Sequence, residues 1–426
     1  MSNKQNVLIL GSGGREHAIA WRVLQDREDL NVFVIPGNTG MALENRIQCL
    51  DWDGEFSSLE LLVRSRDIDF VIVGPETLLE KGIADYLEEV GISVLGPSKI
   101  ATLFESSKSF SKNFMNEFDI PTASSILVND YFKGLEEIDS WPHRLPPVVK
   151  ASGLAAGKGV FVANTRDEAK EALYDIMRSE SFPVNDDEVL LEERLVGREV
   201  SSFALFDGAD YKVLGHCSDY KRLLDQDLGP NTGGMGSICD EGWPTLEVRN
   251  EIDEKVFKRF KQGLSKRGLK FRGILFAGLM VDGSTVKVIE FNVRFGDPET
   301  QSLLPCLKGD FLGNLISAAR SSIKEASELT TEGHCVHVVM ASKGYPFLNQ
   351  DKPQFGQRIP LLSILGNQEV FYAGVKKDHN YLVNSGGRVL GISSKSSSIS
   401  KARESAYQIM PLLKFNGAYW RSDIGS

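Results

Sequence analysis

The sequence predicts an α/β protein of about three domains that begins with an open parallel sheet. A chain of 426 residues is too long for a single hydrophobic core. Its first hundred residues alternate short apolar runs with amphipathic segments, which is typical of parallel sheets. Its later part contains a glycine-rich hairpin and a strand with polar side chains at alternate positions. The polar strand is where we expect the chemistry to lie.

Four apolar runs and three amphipathic segments define the N-terminal sheet. Each run is followed by a loop that contains glycine or proline. Loops at the carboxyl ends of parallel strands line the crevice in which ligands bind, so this domain is expected to hold a ligand. The runs are Val7–Leu10, Val32–Ile35, Phe70–Val73 and Val94–Leu95, and the amphipathic segments are 16–25, 57–66 and 78–90.

The loop after the first run suits a phosphate better than a dinucleotide. Glu16 occupies the third position of the G-x-G-x-x-G pattern, and the second run ends in Pro-Gly-Asn at 36–38, without an acidic residue for a ribose. Glycines at 11–14 permit close backbone approach, the next helix points N–H groups at the ligand, and Arg15 adds charge. His17 is interpreted as a packing residue.

A helix with Lys108 near its start is predicted from Ser106 to Phe118, because Pro121 prevents its continuation. Strands Val148–Ala151 and Val160–Ala163 then flank a glycine-rich loop, which is not a Walker A motif. An ordinary hairpin would explain the glycines but not the lysines at its base and tip. We therefore predict a cover for phosphates.

The next segments predict a nucleotide hinge and a close backbone approach. The strand Val189–Leu195 runs into a polar turn that can offer Glu192 to an adenine edge, with Glu199 placed for ribose hydroxyls. Four glycines within 229–236 indicate close approach to a ligand or to a neighbouring strand. A charged amphipathic helix is predicted for Leu246–Arg267.

The stretch from Val286 to Gln301 carries the candidate chemistry, on a strand that pairs with Gly273–Val281. Alternation places Glu290, Asn292 and Arg294 on one face and Ile289, Phe291 and Val293 on the other. Carboxylate and amide oxygens suit Mg²⁺ that bridges phosphates, and the guanidinium can bind a phosphoryl oxygen. The alternative is a surface strand with a solvated polar face.

The composition is that of an ordinary globular protein. Apolar residues make up 42% and charged residues 25%, and 48 basic against 58 acidic residues give a net charge of −10. No basic stripe or long apolar run occurs, so we expect a cytoplasmic protein without nucleic-acid or membrane partners. The five cysteines are widely spaced and lack a CxxC pair, which predicts buried thiols.

The tail predicts a small β domain. His334 and His337 lie on opposite faces of the strand 334–342 and are interpreted as packing residues. The runs 370–376 and 388–392 are predicted strands. The Ser/Lys stretch 393–401 is predicted to be a flexible link to a last helix at 402–413.

Taken together, these residues resemble the ATP-grasp superfamily and, within it, the phosphoribosylamine–glycine ligases. The matching segments are GSGGREHAIAW at 11–21, GPE at 74–76, KASGLAAGKGV at 150–160, GPNTGGMG at 229–236 and IEFNVRFGDPETQ at 289–301. The resemblance implies an N-terminal substrate domain (1–105), an ATP-grasp domain (106–326, with a lid at about 122–190) and a C-terminal β-rich domain (327–426). It also implies ligation of glycine to 5-phosphoribosylamine with ATP, through a glycyl phosphate, in purine biosynthesis.

The resemblance also implies roles for individual residues. The implied ATP-binding residues are Lys108, Lys150, Gly157, Lys158, Gly159, Glu192, Leu195 and Glu199. The implied Mg²⁺ or Mn²⁺ ligands are Glu290 and Asn292, and the implied catalytic residues are Arg294, Lys221 and Asp219. The implied substrate-binding residues are Gly13, Gly14, Arg15, Asn38, Gly74, Pro75, Glu76, Gly233, Gly234 and Asp297.

The sequence departs from the family pattern at a few positions. Gly278 stands where many ATP-grasp enzymes carry a metal carboxylate, and Tyr220 replaces a common histidine. A related ligase or carboxylase with another acceptor, or a non-catalytic nucleotide sensor, is the alternative function. A monomer or weak homodimer is expected.

Overall fold

The N-terminal strands form a parallel five-stranded sheet in the computed structural model, which describes residues 5–153, 159–179, 188–347, 353–362 and 366–426. The strand order is β3-β2-β1-β4-β5. The strands are β1 (Gln5–Gly11), β2 (Leu30–Pro36), β3 (Ile47–Cys49), β4 (Phe70–Val73) and β5 (Val94–Leu95), and the helices are α1 (Gly14–Asp26), α2 (Phe56–Ser65), α3 (Glu76–Glu80) and α4 (Ile83–Glu89).

All four predicted strands of this sheet are confirmed, and two details differ. The sequence did not indicate β3, a three-residue edge strand whose middle residue, Gln48, is exposed. The predicted helix at 78–90 is instead two helices. Gly82 separates them with a φ of +88°, a left-handed conformation that glycine adopts without a steric cost.

An antiparallel four-stranded sheet with two covering helices follows. Its strand order is β6-β9-β7-β8, and β7 and β8 form the hairpin predicted around the glycine-rich loop. The elements are α5 (Leu103–Ser106), α6 (Lys108–Glu117), β6 (Ser125–Val128), α7 (Tyr131–Asp139), β7 (Val148–Ala151), β8 (Val160–Val162), α8 (Arg166–Arg178) and β9 (Val189–Glu192). The tip of the hairpin lies outside the described residues.

The largest sheet joins the central and C-terminal parts of the chain. Its order is β16-β15-β10-β11-β14-β19-β23-β20, so strands from the C-terminal segment continue the central sheet. The strands from β10 to β16 are β10 (Arg198–Asp207), β11 (Tyr211–Asp219), β12 (Arg222–Leu224), β13 (Leu228–Asn231), β14 (Gly236–Asp240), β15 (Arg272–Asp282) and β16 (Thr285–Asn292). The predicted pairing through Asp282 and Gly283 is confirmed.

Helices cover this sheet, and three small pairs of strands border it. The helices are α9 (Leu246–Ile252), α10 (Lys258–Arg267), α11 (Glu299–Cys306), α12 (Phe311–Ala319) and α13 (Ile399–Ile409). The remaining strands are β17 (Leu307–Lys308), β18 (Thr330–Thr331), β19 (His334–Ala341), β20 (Gln368–Tyr372), β21 (Val375–Asp378), β22 (Tyr381–Asn384) and β23 (Arg388–Ser396). A π-helical turn at Asp253–Phe257 joins α9 and α10 into one long helical segment, as the sequence predicted. Within the described ranges, every helix is too short or too polar to cross a lipid bilayer.

The prediction of a flexible link at 393–401 is wrong. The strand β23 continues through Ser396 and pairs with both β19 and β20, and α13 begins at Ile399. The hydroxyl group of the buried Ser393 is satisfied internally, since its Oγ donates to the carbonyl of Gln301 at 2.6 Å. A Ser-rich composition therefore suggested a loop where the structure has an interior strand.

His17 is a packing residue, as predicted. Its Nδ1 accepts a hydrogen bond from the backbone N–H of Tyr372 at 2.9 Å, and its ring packs against Phe371, so it joins α1 to β20. Burial is the largest cause of the lowered pKa of His17, which is about 4. The imidazole is therefore neutral in the folded protein at neutral pH.

Mild acid is expected to destabilise the fold through His17. Because its pKa is lower in the folded than in the unfolded protein, its contribution is complete above about pH 6.5 and is lost as the pH falls towards 4. Between pH 7.5 and 5, the loss in unfolding free energy is about 2 kcal/mol. Urea unfolding of His17→Gln should show a weaker pH dependence than the wild type, whereas the exposed control His379→Gln should match it. Equal pH dependence in all three proteins would contradict this assignment.

Candidate active site

A bulge in β16 orients the predicted polar residues. Val288 pairs with Leu279 and Glu290 pairs with Gly278, so Ile289 is an extra residue without an opposite partner. The bulge changes the face to which alternate side chains point. The core contains Val286 and Val288 before the bulge, and Phe291 and Val293 after it.

Consequently the polar residues share one face, as predicted, but Ile289 does not share the core face with Phe291 and Val293. Ile289 is only half-buried. Asn292 is buried, and Glu290 and Arg294 are half-buried. The alternative of a fully solvated polar face is therefore excluded by burial.

Glu290 lies in a field of positive charge. Burial alone would raise the pKa of its carboxyl group, but Lys221, Lys150, Lys108 and Arg294 outweigh burial, and the pKa is lowered. The side chain is therefore an anion at neutral pH. Its cationic neighbours come from the segment just after β16 and from three other parts of the chain, which shows that these predicted residues converge.

Arg294 connects β16 to the N-terminal part of the chain. Its guanidinium donates to Glu105 Oε1 at 2.8 Å, to Asn292 Oδ1 at 3.1 Å and to Glu76 Oε2 at 3.3 Å. Burial raises the pKa of Glu105 in spite of this cation. Burial would also raise the pKa of Glu76, but Arg294 and Arg15 outweigh this effect, and the pKa is lowered. Arg294 thus compensates two carboxylates at once.

The N-terminal loops meet the turn that follows β16. Arg15 donates to the carbonyl of Phe295 at 3.1 Å, and its guanidinium is 3.9 Å from Glu76 Oε2. A Cβ atom on Gly13 would lie 3.4 Å from Asp297 Oδ2, so the two loops face each other closely. Asn38 donates to the carbonyl of Ser12 at 2.8 Å and so belongs to the same loop cluster.

Glu16 explains why this loop departs from the dinucleotide pattern. Its carboxylate accepts hydrogen bonds from the backbone N–H of Gly13 at 2.7 Å and from Arg15 Nε at 2.6 Å. It therefore caps the start of α1. A Cβ atom on Gly74 would lie 2.2 Å from Glu16 Oε1, so this side chain also accounts for the glycine that precedes Pro75.

The C-terminal part supplies residues that the sequence did not indicate. Arg388 Nη1 donates to the carbonyl of Gly233 at 2.6 Å and to that of Asp297 at 2.7 Å. Tyr345 Oη accepts a hydrogen bond from the N–H of Gly233 at 2.9 Å. A Cβ atom on Gly234 would lie 2.4 Å from Pro298 Cδ. The close approach predicted for these glycines is thus made to neighbouring loops of the protein. The two glycines that precede Arg388 are the sequence feature that could have indicated this contact.

Lys150 in β7 and Glu192 at the end of β9 lie together, on neighbouring strands of the four-stranded sheet. The Glu192 carboxylate forms one ion pair with Lys150 and a second, at 2.8 Å, with Lys112. Lys112 was not predicted, although its position four residues after Lys108 places both lysines on one face of α6. Lys108 donates to the carbonyl of Gly153 at 3.2 Å, at the base of the loop. Gly157 and Lys158 lie outside the described residues, and Gly159 accepts from the N–H of Ala151 at 2.8 Å.

Lys221 lies between the carboxylates of Glu199 and Asp219. Lys221 Nζ is 2.6 Å from Glu199 Oε2 and 3.9 Å from Asp219 Oδ2. Burial raises the pKa of Asp219 to about 7, although Lys221 acts in the opposite direction. Tyr220 points to the C-terminus instead, where its hydroxyl accepts from the N–H of Gly425 at 3.0 Å. Leu195 is half-buried in the turn before β10.

Comparison with known families agrees with this arrangement. Three models of phosphoribosylglycinamide synthetase match the chain: the N domain at residues 5–105, the ATP-grasp (A) domain at 106–300 and the C domain at 335–426. The chain belongs to the phosphoribosylglycinamide synthetase family. It is therefore an ATP-grasp enzyme of the ligase class.

Related proteins match this chain over nearly their whole length. A phosphoribosylamine–glycine ligase of Chlorobaculum tepidum is 39% identical over 99% of each chain, and one of Vibrio vulnificus is 36% identical over 99% of this chain and 97% of its own. The crystal structure of the Thermotoga maritima ligase has a TM-score of 0.85 at 32% identity and covers 98% of this chain and 100% of its own.

A Campylobacter jejuni biotin carboxylase shares the fold alone. Its TM-score is 0.74 at 15% identity, over 98% of this chain and 93% of its own. In this protein, the three parts matched by the family models meet around Asp297, which faces Gly13 of the N-terminal part and Arg388 of the C-terminal part.

Proposed function

We propose that this site joins glycine to 5-phosphoribosylamine with ATP and produces glycinamide ribonucleotide, ADP and phosphate, a step of purine biosynthesis. One observation supports the proposal above all others. The loop around Arg15, which is predicted to bind an anion, lies against the turn at residues 295–297. The same turn follows the strand that carries Glu290 and Asn292. A phosphorylated amine and a nucleoside triphosphate can therefore occupy adjacent positions.

The nucleotide is proposed to bind between the hairpin and β16. Lys108 and Lys150 would neutralise its phosphates, and the loop carrying Gly157, Lys158 and Gly159 would cover them. Leu195 and Glu192 would line the adenine, and Glu199 would bind the ribose. Since both carboxylates are engaged by lysines, nucleotide binding requires these ion pairs to rearrange.

The polar face of β16 fits a hard divalent cation such as Mg²⁺ or Mn²⁺. Glu290 is anionic, and Asn292 supplies an amide oxygen, Oδ1, which accepts a hydrogen bond from Arg294 at 3.1 Å and would exchange that bond for the ion. Its buried Nδ2 lacks a hydrogen-bond partner among the described residues and is a donor suited to a phosphate oxygen rather than to the metal. No cluster of three acidic, His or Cys ligands occurs in the described ranges, and Gly278 lies opposite Glu290. Phosphate oxygens and water would complete the coordination, as Mg²⁺ usually requires. When bound, the ion would neutralise charge on the transferred phosphoryl group.

The two other substrates are proposed to bind on the far side of the phosphates. Phosphoribosylamine would lie beneath the N-terminal loops, and glycine would lie near the loop that Arg388 holds. The proposed phosphoribosylamine-binding residues are Gly13, Gly14, Arg15, Asn38, Gly74, Pro75 and Glu76, and the proposed glycine-binding residues are Gly233, Gly234 and Asp297.

The chemistry needs positioning and charge more than a protein nucleophile. The γ-phosphoryl group passes to the glycine carboxylate, and the amine of phosphoribosylamine then attacks the acyl phosphate and displaces phosphate. Arg294 and Lys221 would stabilise the transferred charge. Asp219, with a pKa raised to about 7, can accept the proton that the amine releases near neutral pH. The covering loop would exclude water from the mixed anhydride.

ADP release tests this function. We expect ADP to form only when glycine and phosphoribosylamine are both present, and to be accompanied by glycinamide ribonucleotide. ADP formed with bicarbonate, or with another amino acid in preference to glycine, would instead indicate a related carboxylase or ligase. Nucleotide binding without turnover on any substrate would indicate a sensor.

The organisation of the chain is part of the proposal. We assign residues 1–105 to phosphoribosylamine binding, residues 106–326 to ATP binding with a lid at about 122–190, and residues 327–426 to closure of the site. The protein is proposed to act in the cytoplasm as a monomer or weak homodimer.

A further inference from the structure

Three buried charged side chains, from α6, β7 and β9, lie side by side. Lys112, Glu192 and Lys150 are each only 4% exposed, and the Glu192 carboxylate lies between the two ammonium groups. Two cations therefore share one anion in the protein interior. The proposed function uses Lys150 and Glu192 and gives no role to Lys112.

Lys112 is fixed in place by its contacts. An ammonium group has three donors, and those of Lys112 have three acceptors: Thr122 Oγ1 at 2.7 Å, Glu192 Oε1 at 2.8 Å and the carbonyl of Ala123 at 3.2 Å. Thr122 is itself attached to β16, since its hydroxyl donates to the carbonyl of Val288 at 2.8 Å. Movement of Lys112 would break several of these bonds at once.

Lys150 occupies the other side of Glu192 and faces β16. Besides Glu192 Oε2, its acceptor among the described residues is the carbonyl of Ile289, at the long distance of 3.5 Å. Ile289 precedes Glu290, and the charge of Lys150 already lowers the pKa of Glu290. Lys150 is thus within electrostatic reach of the proposed phosphate site.

We propose that Lys112 is a positioning residue that retains Glu192 and so allows Lys150 to move from Glu192 to the phosphates of ATP. The proposal rests on the proposed ATP site. When Lys150 leaves, one ammonium group still compensates the buried carboxylate. Without Lys112, departure of Lys150 would leave Glu192 as an unpaired buried anion, which is strongly unfavourable. ATP would then compete with Glu192 for Lys150.

Binding of ATP to three variants tests this inference by isothermal titration without the other substrates. Lys112→Met is expected to weaken ATP binding by about 10-fold or more, which corresponds to about 1.4 kcal/mol. Adding Glu192→Gln to Lys112→Met removes the anion that retains Lys150, so the double variant should bind ATP several-fold more tightly than Lys112→Met, although Glu192 also lines the proposed adenine site. The exposed Lys133→Met in α7 is the matched control and should bind as wild type does.

The outcomes separate this inference from the proposed function. Failure of the wild type to bind ATP would refute the proposed function. Wild-type affinity in Lys112→Met, or a double variant that binds no better than Lys112→Met, would refute the role of Lys112. A purely structural role predicts that the double variant is no better than the single one. If Lys112→Met does not fold, Lys112→Arg keeps the charge and should bind ATP more tightly than Lys112→Gln.

Discussion

Replacing Glu290 with glutamine is expected to reduce glycine-dependent ADP release by about 10²- to 10³-fold, with the fold retained. Glutamine keeps the shape of the side chain but removes the anion that Lys221, Lys150 and Lys108 surround. The variant should also need a higher Mg²⁺ concentration for half-maximal rate. Steady-state ADP release over a range of Mg²⁺ concentrations measures both effects.

Asp282→Asn is the matched control for Glu290→Gln. Asp282 lies in the exposed turn of the same β15–β16 hairpin, so its replacement removes a carboxylate without altering the polar face. The control should keep wild-type turnover. The double replacement Glu290→Ala with Asn292→Ala should fold and show no glycine-dependent ADP release. Unchanged turnover in Glu290→Gln or in the double replacement would remove the metal assignment.

Replacing Arg294 with methionine is expected to abolish activity and to lower the free energy of unfolding by about 3 kcal/mol or more. The guanidinium contacts Glu76 and Glu105, and its removal leaves the buried side chain of Glu105 without a contacting cation among the described residues and Glu76 with Arg15 alone, at 3.9 Å. Denaturant unfolding and ADP release measure the two effects separately.

A second substitution distinguishes the structural from the catalytic part of Arg294. In Arg294→Met with Glu105→Gln, the uncompensated charge of Glu105 is gone, so stability should recover substantially. Activity should not recover, because the cation proposed to stabilise the phosphoryl group is still absent. Recovery of turnover together with stability would show that Arg294 serves only the fold.

The regular secondary-structure elements were predictable from the sequence because their signals are local. The runs of the N-terminal sheet, the hairpin flanks and the β15–β16 pairing follow from apolar patterns and turn residues. The bulge at Ile289 was not predictable, because it depends on the register with β15. The predicted face of Glu290, Asn292 and Arg294 was correct because the bulge precedes these residues.

Partners distant in the sequence were the main omission. Glu192 was predicted to face adenine, and nothing local indicated that Lys112 and Lys150 both reach its carboxylate. Arg388 reaches the loop at Gly233 from 155 residues away. The buried serines at 393 and 394 were interpreted as part of a link, because hydrogen bonds to other strands are invisible in composition. Such contacts depend on tertiary packing.

A crystal structure with Mg²⁺ and a non-hydrolysable ATP analogue tests the central claim most directly. We predict a triphosphate between the hairpin base and β16, with Lys108 and Lys150 on its oxygens and the metal bound by Glu290 and Asn292. Lys150 should have left Glu192, while Lys112 stays in contact with it. A nucleotide bound elsewhere, or a Glu290 carboxylate that contacts neither metal nor phosphate, would contradict the account.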